Sequence, residues 1–267
     1  MKYTVVTTFA ADGYKRYGQR MIQTFLQNWP QEVNLMVYAE NCAVTETAPN
    51  LQVFDLEQSS PALVQFKTQW KGVPKANGDV SADPMRRQRK DAGKGFKWDA
   101  VRFSHKVYAI FAAAQQCKTD WLIWMDADMV CHSPIDTDFL DRMCNHTHDI
   151  CYLGRTNKYT ECGLYAMNLA STSTQEFLRV FQHYYDDAEQ GIFTLMEWHD
   201  SFVFDHVRTK VGLKGLDWSS HLISGEGHPL INSEWGAYLD HLKGDRKELG
   251  RSKAKDLKVP RKEGYWQ

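Results

Sequence analysis

Short apolar runs alternate with amphipathic stretches along this chain of 267 residues. Residues 3–9, 33–39 and 51–54 are rich in apolar side chains, which predicts three β-strands. Apolar residues recur at helical spacing over about 17–28 and 98–116, which predicts two helices. Strands that alternate with helices favour βαβ units around a parallel sheet.

The same alternation continues in the second half of the chain. Residues 149–153 and 163–167 predict two further strands, and 173–187 and 199–208 predict two further helices. The sequence Ala-Asp-Gly at 11–13 predicts a turn after the first strand. No internal repeat or linker composition interrupts the pattern. We therefore predict a single α/β domain with a Rossmann-like, mostly parallel sheet flanked by helices.

The stretch Trp121–Val130 combines an apolar run with two acidic residues. The run predicts a buried central strand, and it leads directly into Asp126-Ala127-Asp128. Carboxylates are rarely buried unless they are paired or bound to a metal ion. Ligands of open α/β sheets bind beyond the carboxyl ends of the strands, where these aspartates would lie. The pair therefore predicts a site for Mg²⁺ or Mn²⁺, which accept oxygen ligands.

A second motif lies more than a hundred residues downstream, at His241–Lys247, with the pattern His-x-x-Gly-x-x-Lys. The imidazole of His241 can complete the coordination of an ion such as Mn²⁺. Gly244 lets the backbone approach a phosphate closely, and Lys247 can neutralise a diphosphate. A charged helix end followed by a solvated tail has the same composition, so this motif alone leaves both interpretations open.

Two basic segments depart from the nearly neutral net charge of −1. Residues 67–97 hold nine Lys and Arg against three Asp and Glu, and residues 243–262 hold the same numbers. We interpret 71–97 as a basic loop insertion and 248–267 as a basic tail of one domain that spans 1–267. The loop is either a solvated insertion or a segment that binds phosphate, and both segments suit an anionic ligand or surface.

The composition is that of an ordinary globular protein, with 43% hydrophobic and 24% charged residues. No apolar stretch approaches the roughly 20 residues that span a bilayer, and the first residues predict a strand rather than a signal peptide. The six cysteines form no CxxC pair, which favours free thiols. These features predict a cytoplasmic protein without a transmembrane segment.

The two motifs together resemble those of the GT-A glycosyltransferases, particularly the retaining glycogenin and bacterial galactosyltransferase type. The resemblance implies a GT-A fold and a metal ion, Mn²⁺ or Mg²⁺, that is bound by Asp126, Asp128 and His241. It also implies that Gly244 and Lys247 contact the diphosphate of a nucleotide sugar, to which Asp126 and Ala127 also lie close. The family motif continues from its lysine to Pro-Trp, whereas this chain continues to Glu-Leu.

The resemblance implies further positions in the donor site. The nucleotide base and ribose would lie over the end of the first strand, at Thr7, Thr8 and Phe9. Arg102 and Lys106 precede the two aspartates on the predicted helix 98–116. Related enzymes place a basic residue there, close to the sugar or the phosphate.

Two acidic residues are candidates for catalysis. Glu161 begins a segment similar to the family strand that lines the donor-sugar pocket. Asp200 lies in a segment that resembles the one facing sugar and acceptor, and it is our candidate for the carboxylate beside the reacting carbon. A helix N-cap is the alternative role for Asp200, since aspartate caps helices well.

The resemblance implies transfer of a sugar from a nucleoside-diphosphate sugar, a UDP-sugar in particular, to an acceptor hydroxyl with retention of configuration. The acceptor stays open between a glycan, a lipid-linked glycan and a nucleic acid. A metal-dependent nucleotidyltransferase or phosphohydrolase is one alternative, because such enzymes also place paired aspartates at strand ends. A non-enzymatic nucleic-acid-binding protein is the other, although a pI near 6.8 disfavours it.

Overall fold

The computed structural model describes residues 2–222 and 228–267 and is built on a seven-stranded sheet. The sheet has the order β3-β2-β1-β4-β7-β6-β8, and β5 pairs with β9 in a separate two-stranded sheet. The strands are β1 (Tyr3–Ala10), β2 (Asn34–Glu40), β3 (Leu51–Asp55), β4 (Trp121–Met125), β5 (Met129–Cys131), β6 (Ile150–Arg155), β7 (Lys158–Asn168), β8 (Gly215–Asp217) and β9 (Leu239–His241).

The large sheet is mostly parallel. Strands β3, β2, β1 and β4 run parallel to one another, and β6 runs parallel to β8. Only β7 is antiparallel to its neighbours, β4 and β6. The α/β fold that the sequence predicts is confirmed.

Helices cover both faces of the sheet, so its central strands are buried on both sides. Successive residues of β1 point to opposite faces, and Val5 and Val6 accordingly join two different hydrophobic cores. The longer helices are Gln19–Asn28, Pro61–Trp70, Ala100–Gln116, Thr137–Met143, Thr172–Asp186 and Asp200–Val211. Short helical turns occur at Leu56–Ser59, Pro74–Ala76, Val80–Ala82, Pro84–Arg87, Gly95–Trp98, Ile192–Thr194, Pro229–Asn232, Glu234–Ala237, Arg246–Leu249, Ala254–Asp256 and Gly264–Trp266.

The predicted turn at 11–13 is wrong. Ala11–Gly13 is helical and continues through the π-helical turn Tyr14–Gly18 into the helix Gln19–Asn28. Gly18 lies against the ring of Phe9, where a Cβ atom would come within 2.8 Å of that ring. The glycines here therefore allow close packing instead of a reversal of the chain.

The basic loop 71–97 is attached to the body of the protein. The indole Nε1 of Trp98 donates to the carbonyl of Met196, and the backbone N–H of Trp198 donates to the carbonyl of Lys97. The Arg86 guanidinium lies 3.7 Å from the ring centroid of Trp198. These contacts fasten the loop to residues 196–198, immediately before the helix Asp200–Val211.

The basic tail is also packed against the protein. Asp240 on β9 is fully buried and accepts hydrogen bonds from the Ser252 hydroxyl at 2.6 Å and the Tyr265 hydroxyl at 2.9 Å. The Trp266 indole donates to the Gly236 carbonyl. The tail thus holds β9, the strand that ends at His241. No helix in the described ranges is long and apolar enough to cross a membrane.

Candidate active site

Asp126 lies at the carboxyl end of β4, and neighbouring groups fix its side chain. Its Oδ1 accepts hydrogen bonds from the Trp124 indole at 2.7 Å and from the Lys106 ammonium at 3.0 Å. Its backbone N–H donates to the Gly163 carbonyl on β7. Because Oδ1 is held in this way, Oδ2 is the oxygen that faces His241, at 3.6 Å from Nε2.

The pairing of β5 with β9 brings His241 to the two aspartates. Met129 and His241 are direct partners in this two-stranded sheet. The His241 Nε2 atom lies 3.0 Å from Oδ1 of Asp128, and its ring is almost completely buried. Gly163 makes room for that ring, since a Cβ atom there would lie 2.4 Å from it.

The spacing of these three ligand atoms fits a divalent ion. Neighbouring ligands of an octahedral ion lie about 3 Å apart when the metal–oxygen bonds are about 2.1 Å. The atoms of Asp126, Asp128 and His241 all lie within 4.8 Å of one another. Two carboxylates and one imidazole are a suitable set for Mn²⁺ or Mg²⁺.

A second set of potential ligands lies on the other side of the same ring. Glu161, His228 and His241 also have ligand atoms within 4.8 Å of one another. However, one oxygen of Glu161 pairs with the Lys243 ammonium, and the other lies 3.4 Å from the Arg155 guanidinium. Two cations already compensate this carboxylate, so the aspartate set is the better metal site.

The electrostatics of the aspartates favour a bound cation. Burial raises the pKa of Asp126, and the nearby carboxylates of Asp128 and Asp200 raise it further, although Lys106 opposes the shift. Burial opposes ionisation of Asp128 too, but His241 and Lys247 hold its pKa below the usual range. Crowded buried carboxylates of this kind are stabilised by added positive charge.

Lys106 links the metal motif to the candidate catalytic carboxylate. Its ammonium lies 3.0 Å from Oδ1 of Asp126 and 2.8 Å from Oδ2 of Asp200, and it also donates to the Cys162 carbonyl. Its three N–H groups therefore all have acceptors within the protein. Burial disfavours the charged amine, but Asp126 and Asp200 raise the pKa of Lys106 well above its usual range.

Asp200 begins its helix but does not cap it. The N-cap is His199, whose Nδ1 accepts from the backbone N–H of Phe202. Burial opposes ionisation of Asp200, and the adjacent Lys106 lowers its pKa below the usual value. The Asp200 side chain is therefore held as a carboxylate beside the metal motif, and the N-cap alternative does not apply.

Glu161 is also held as an ion. It is 3% exposed, and burial alone would raise its pKa, but Lys243, His228 and His241 together lower it. Its Oε1 lies 3.8 Å from Nδ1 of His241, which has no hydrogen-bond partner within the described part of the chain. Glu161 thus lies beside the His241 imidazole, on the side of Nδ1.

The late motif supplies a glycine with a positive φ and a lysine that pairs with Asp128. Gly244 has a φ of +59°, a left-handed conformation that favours glycine. Lys247 lies 2.8 Å from Oδ2 of Asp128 and 5.2 Å from the ring centroid of Tyr17. The Lys247 ammonium is therefore next to the Asp128 oxygen that does not face His241.

The other predicted donor contacts lie at the end of β1 and on the helix Ala100–Gln116. Thr7 is buried, Thr8 donates to the Tyr38 carbonyl, and Phe9 stacks on Tyr14 at 5.5 Å. These residues form the carboxyl end of β1, beside that of β4. Arg102 is exposed on the helix Ala100–Gln116, and its guanidinium lies 5.8 Å from the Phe103 ring. No contact in the described structure connects Arg102 with the carboxylates.

A cleft of about 920 Å³ lies beside three carboxylates of the candidate site. Asp126, Glu161 and Asp200 line its floor, and the loop 71–97 contributes to its wall. The remaining lining residues include aromatic and basic side chains, among them Phe96, Phe103, Tyr159, His199, Lys94, Lys97, Arg155, Lys158 and Lys243. Ligand clefts commonly have volumes of about 300–1,000 Å³, so there is room for a substrate.

Comparison with known proteins finds a similarity to glycosyltransferases. Residues 94–206 match the family described as glycosyl transferase family 2. This part of the chain is similar to glycosyltransferases. The matched region is less than half of the chain. It contains Lys106, Asp126, Asp128, Glu161 and Asp200, and it ends before His241. A comparison with curated protein sequences finds no match.

Several solved glycosyltransferase structures are similar to this one. They are the apo WbbM bifunctional glycosyltransferase (12% identity, TM-score 0.46, 82% of this chain and 39% of that chain), a glycosyltransferase involved in glycosylation of the major capsid of PBCV-1 (11%, 0.49, 93% and 100%) and apo GlyE of Streptococcus pneumoniae TIGR4 (9%, 0.45, 81% and 45%). The chain thus spans less than half the length of two of these structures. Similarities this low do not bear on its substrate.

Sequence reasoning missed several side chains that hold the candidate ligands. Trp124, Lys243 and Arg155 all bond to carboxylates of the cleft, and His228 lies 5.1 Å from the ring of His241. Trp124 and Lys243 lie within or beside the two motifs, so their proximity was visible in the sequence. Nothing in the spacing of Arg155 and His228 indicated their positions.

Proposed function

We propose that this protein is a glycosyltransferase, which transfers a sugar from a nucleoside-diphosphate sugar to an acceptor hydroxyl in a reaction that depends on a divalent metal ion. One observation carries the proposal: Asp126, Asp128 and His241 converge from two distant segments with the spacing of metal ligands. Lys247 and Gly244 of the same late segment accompany His241. The similarity of both motifs to those of the glycogenin and bacterial galactosyltransferase type supports a UDP-sugar as donor and retention of configuration.

Asp126, Asp128 and His241 would hold Mn²⁺ or Mg²⁺. When bound, such an ion supplies positive charge to the oxygens of the departing diphosphate. Two lysines fix one oxygen of each aspartate. Lys106 pairs with Oδ1 of Asp126, and Lys247 pairs with Oδ2 of Asp128. The remaining oxygens face His241.

The donor would lie across the carboxyl ends of β1 and β4. We propose that Thr7, Thr8 and Phe9 adjoin its base and ribose, and that Ala127, Gly244 and Lys247 adjoin its diphosphate. Lys247 would exchange part of its interaction with Asp128 for the phosphate oxygens. A lysine that neutralises the leaving group lowers the barrier to its departure.

Asp200 is the best candidate for the carboxylate beside the reacting carbon. It lines the cleft next to Asp126, and Lys106 keeps it ionised. The anomeric carbon becomes positively charged as the diphosphate leaves, and a fixed carboxylate stabilises that charge. Glu161 is enclosed by Lys243 and Arg155, so we assign it to shaping the donor-sugar pocket and supporting His241 rather than to proton transfer.

A panel of nucleotide sugars tests the proposal. The protein is incubated with each donor and Mn²⁺, and release of the nucleoside diphosphate is measured by chromatography. We expect slow release from one donor by transfer to water, and its loss in the presence of a chelator. Asp126→Asn and Asp128→Asn should reduce release by about 100-fold or more. Each replaces a carboxylate ligand of the proposed metal ion, whose positive charge would stabilise the leaving group.

The control is Asp138→Asn, which changes an exposed aspartate that does not line the cleft. The proposal fails if no nucleotide sugar is turned over, or if the two motif variants retain the activity of this control. Turnover of a nucleoside triphosphate instead of a sugar nucleotide would assign the chain to nucleotidyl transfer or phosphate hydrolysis.

A further inference from the structure

We propose that the outer cleft, formed by Lys94, Phe96, Phe103 and Tyr159, binds an acceptor that is a carbohydrate with an anionic substituent. This inference rests on the proposed function for the reacting groups, but the binding that it predicts can be measured separately. It names the chemical class of the acceptor, which neither motif specifies.

Aromatic rings surround His199 at the entrance of the cleft. Their centroids lie 6.0 Å (Phe96), 6.2 Å (Phe103) and 5.3 Å (Tyr159) from that of His199. Phe96 is 48% exposed, so part of its ring is available to a ligand. The C–H face of a pyranose packs well against such rings, because aromatic faces carry negative charge and C–H groups are weakly positive.

The charge of the outer cleft favours an anion. Lys97 is paired with Asp91 and Glu197, each at 2.8 Å. Lys94, by contrast, is exposed, lines the cleft and forms no ion pair with any residue in the described ranges. A carboxylate or phosphate on the acceptor would supply the partner that the protein itself does not provide for Lys94.

The outer cleft is continuous with the proposed reaction centre. Asp126 and Asp200 line the same cleft as the four outer residues. Its volume of about 920 Å³ is near the upper end of the range of about 300–1,000 Å³ for small-molecule sites. A sugar that lies on the rings can therefore direct a hydroxyl towards Asp200 while the donor sugar occupies the floor.

A nucleic acid is the less suitable acceptor. Its affinity depends on many Lys and Arg side chains that are available to phosphates. Several cations of the loop already have partners within the protein. Arg86 pairs with Asp83 and lies over the ring of Trp198, Arg89 pairs with Asp91, and Lys97 pairs with Glu197. The loop therefore retains less available charge in the cleft than its composition indicates, which suits one anionic group better than a polyanion.

Matched disaccharides test the inference. Cellobiose, cellobiouronic acid and cellobiose 6′-phosphate are titrated into the full chain with UDP and Mn²⁺, and binding is followed by saturation-transfer NMR and calorimetry. We expect at least one acidic sugar to bind about two- to fivefold more tightly than cellobiose, the gain of a partly exposed ion pair. The better of the two acids identifies the substituent as a carboxylate or a phosphate.

Two variants locate the binding. Lys94→Glu should remove the preference for the acidic sugars, whereas Lys90→Glu should keep it, because Lys90 is exposed on the same loop but does not line the cleft. Phe96→Ala should lower the affinity for all three sugars by about two- to tenfold, because the contact with the ring is lost.

The inference is overturned if the acids bind no better than cellobiose, if Lys90→Glu acts like Lys94→Glu, or if a single-stranded DNA 12-mer displaces every sugar. These outcomes differ from failure of the proposed function, which is seen as absence of donor turnover. Sugar binding is measured without turnover, so it reports on the outer cleft alone.

Discussion

The two basic segments hold equal numbers of charged residues, but their cations have different partners. Residues 67–97 and 243–262 each hold nine Lys and Arg against three Asp and Glu. In the first segment, Arg86 and Lys97 are used to attach the loop to residues 196–198. In the second, Lys243 and Lys247 reach carboxylates of the candidate active site. Equal charge therefore does not indicate equal function, because the acidic or aromatic partner of each cation decides what it does.

His241, on the strand that leads into the second segment, should show the largest effect. His241→Ala removes one of three proposed metal ligands, so we expect donor turnover to fall by about 100-fold or more and Mn²⁺ affinity to fall with it. Turnover and Mn²⁺ binding by EPR measure the two effects. His146→Ala, an exposed histidine, is the control. Unchanged Mn²⁺ affinity in His241→Ala would remove the histidine from the metal site.

Glu197 tests the structural role of the first segment. Its two oxygens accept from Lys97 at 2.8 Å and from His199 at 2.9 Å, and it is almost fully buried. Glu197→Gln should lower the free energy of unfolding by about 2–3 kcal/mol, because Lys97 and His199 lose a buried anion. Denaturant unfolding measures this. Glu176→Gln, which breaks an exposed pair with Arg179, should cost less than about 0.5 kcal/mol. Equal effects would show that the loop is not fastened through Glu197.

Lys247 tests whether the second segment acts on the donor. Lys247→Ala should reduce kcat/KM for the nucleotide sugar by about tenfold, because one cation near the diphosphate is lost. Steady-state kinetics with varied donor measure this. Lys255→Ala, exposed on the same tail, should retain normal kinetics. A similar loss in both variants would indicate a general effect of tail charge.

The ion pair of Lys67, the first cation of residues 67–97, with Glu40 should make stability depend on pH. Burial raises the pKa of Glu40, but hydrogen bonds from His105 and Lys67 lower it to about 2. Because the folded pKa lies below the unfolded value of about 4.3, Glu40 stabilises the fold above that pH and loses this contribution as the pH falls towards 2. Glu40→Gln should therefore cost about 1 kcal/mol at pH 6 and progressively less between pH 4 and 2. Urea unfolding at several pH values measures this, and a cost that does not change with pH would contradict it.

Arg87 should show the smallest effect. It is exposed on the loop, and neither an ion pair nor a ring contact joins it to another described residue. Arg87→Ala should change stability by less than about 0.5 kcal/mol and leave donor turnover unchanged. Thermal unfolding and the turnover assay measure both. A clear loss of turnover would show that the outer face of the loop also contributes to substrate binding.

The local part of the fold was predictable. Strands β1, β2, β4, β6 and β7 and the helices Ala100–Gln116 and Thr172–Asp186 fall close to their predicted positions, because each has a clear apolar period. The helix Pro61–Trp70 was not predicted. The helical start at Ala11–Gly13 was predicted as a turn, since a glycine that packs against a ring has the same sequence signature as one that turns the chain.

The candidate site was predictable only in part. The motifs named Asp126, Asp128, His241 and Lys247, and the structure brings these four side chains together. The motifs did not show that Lys106 would form ion pairs with both Asp126 and Asp200. The resemblance also implies a position for Arg102 near the sugar or phosphate, and this stays a prediction. Helical position constrains a side chain's direction but not which group it meets.

The sequence by itself determined the elements and the kind of chemistry, because apolar periodicity and the choice of ligand residues are local properties. It determined the central strand that ends in two aspartates. Only the tertiary structure decided which charges meet. Pairing of β5 with β9 places His241 beside Asp128, and attachment of the basic loop to residues 196–198 engages Arg86 and Lys97. Such contacts join residues more than a hundred positions apart, and no local pattern encodes them.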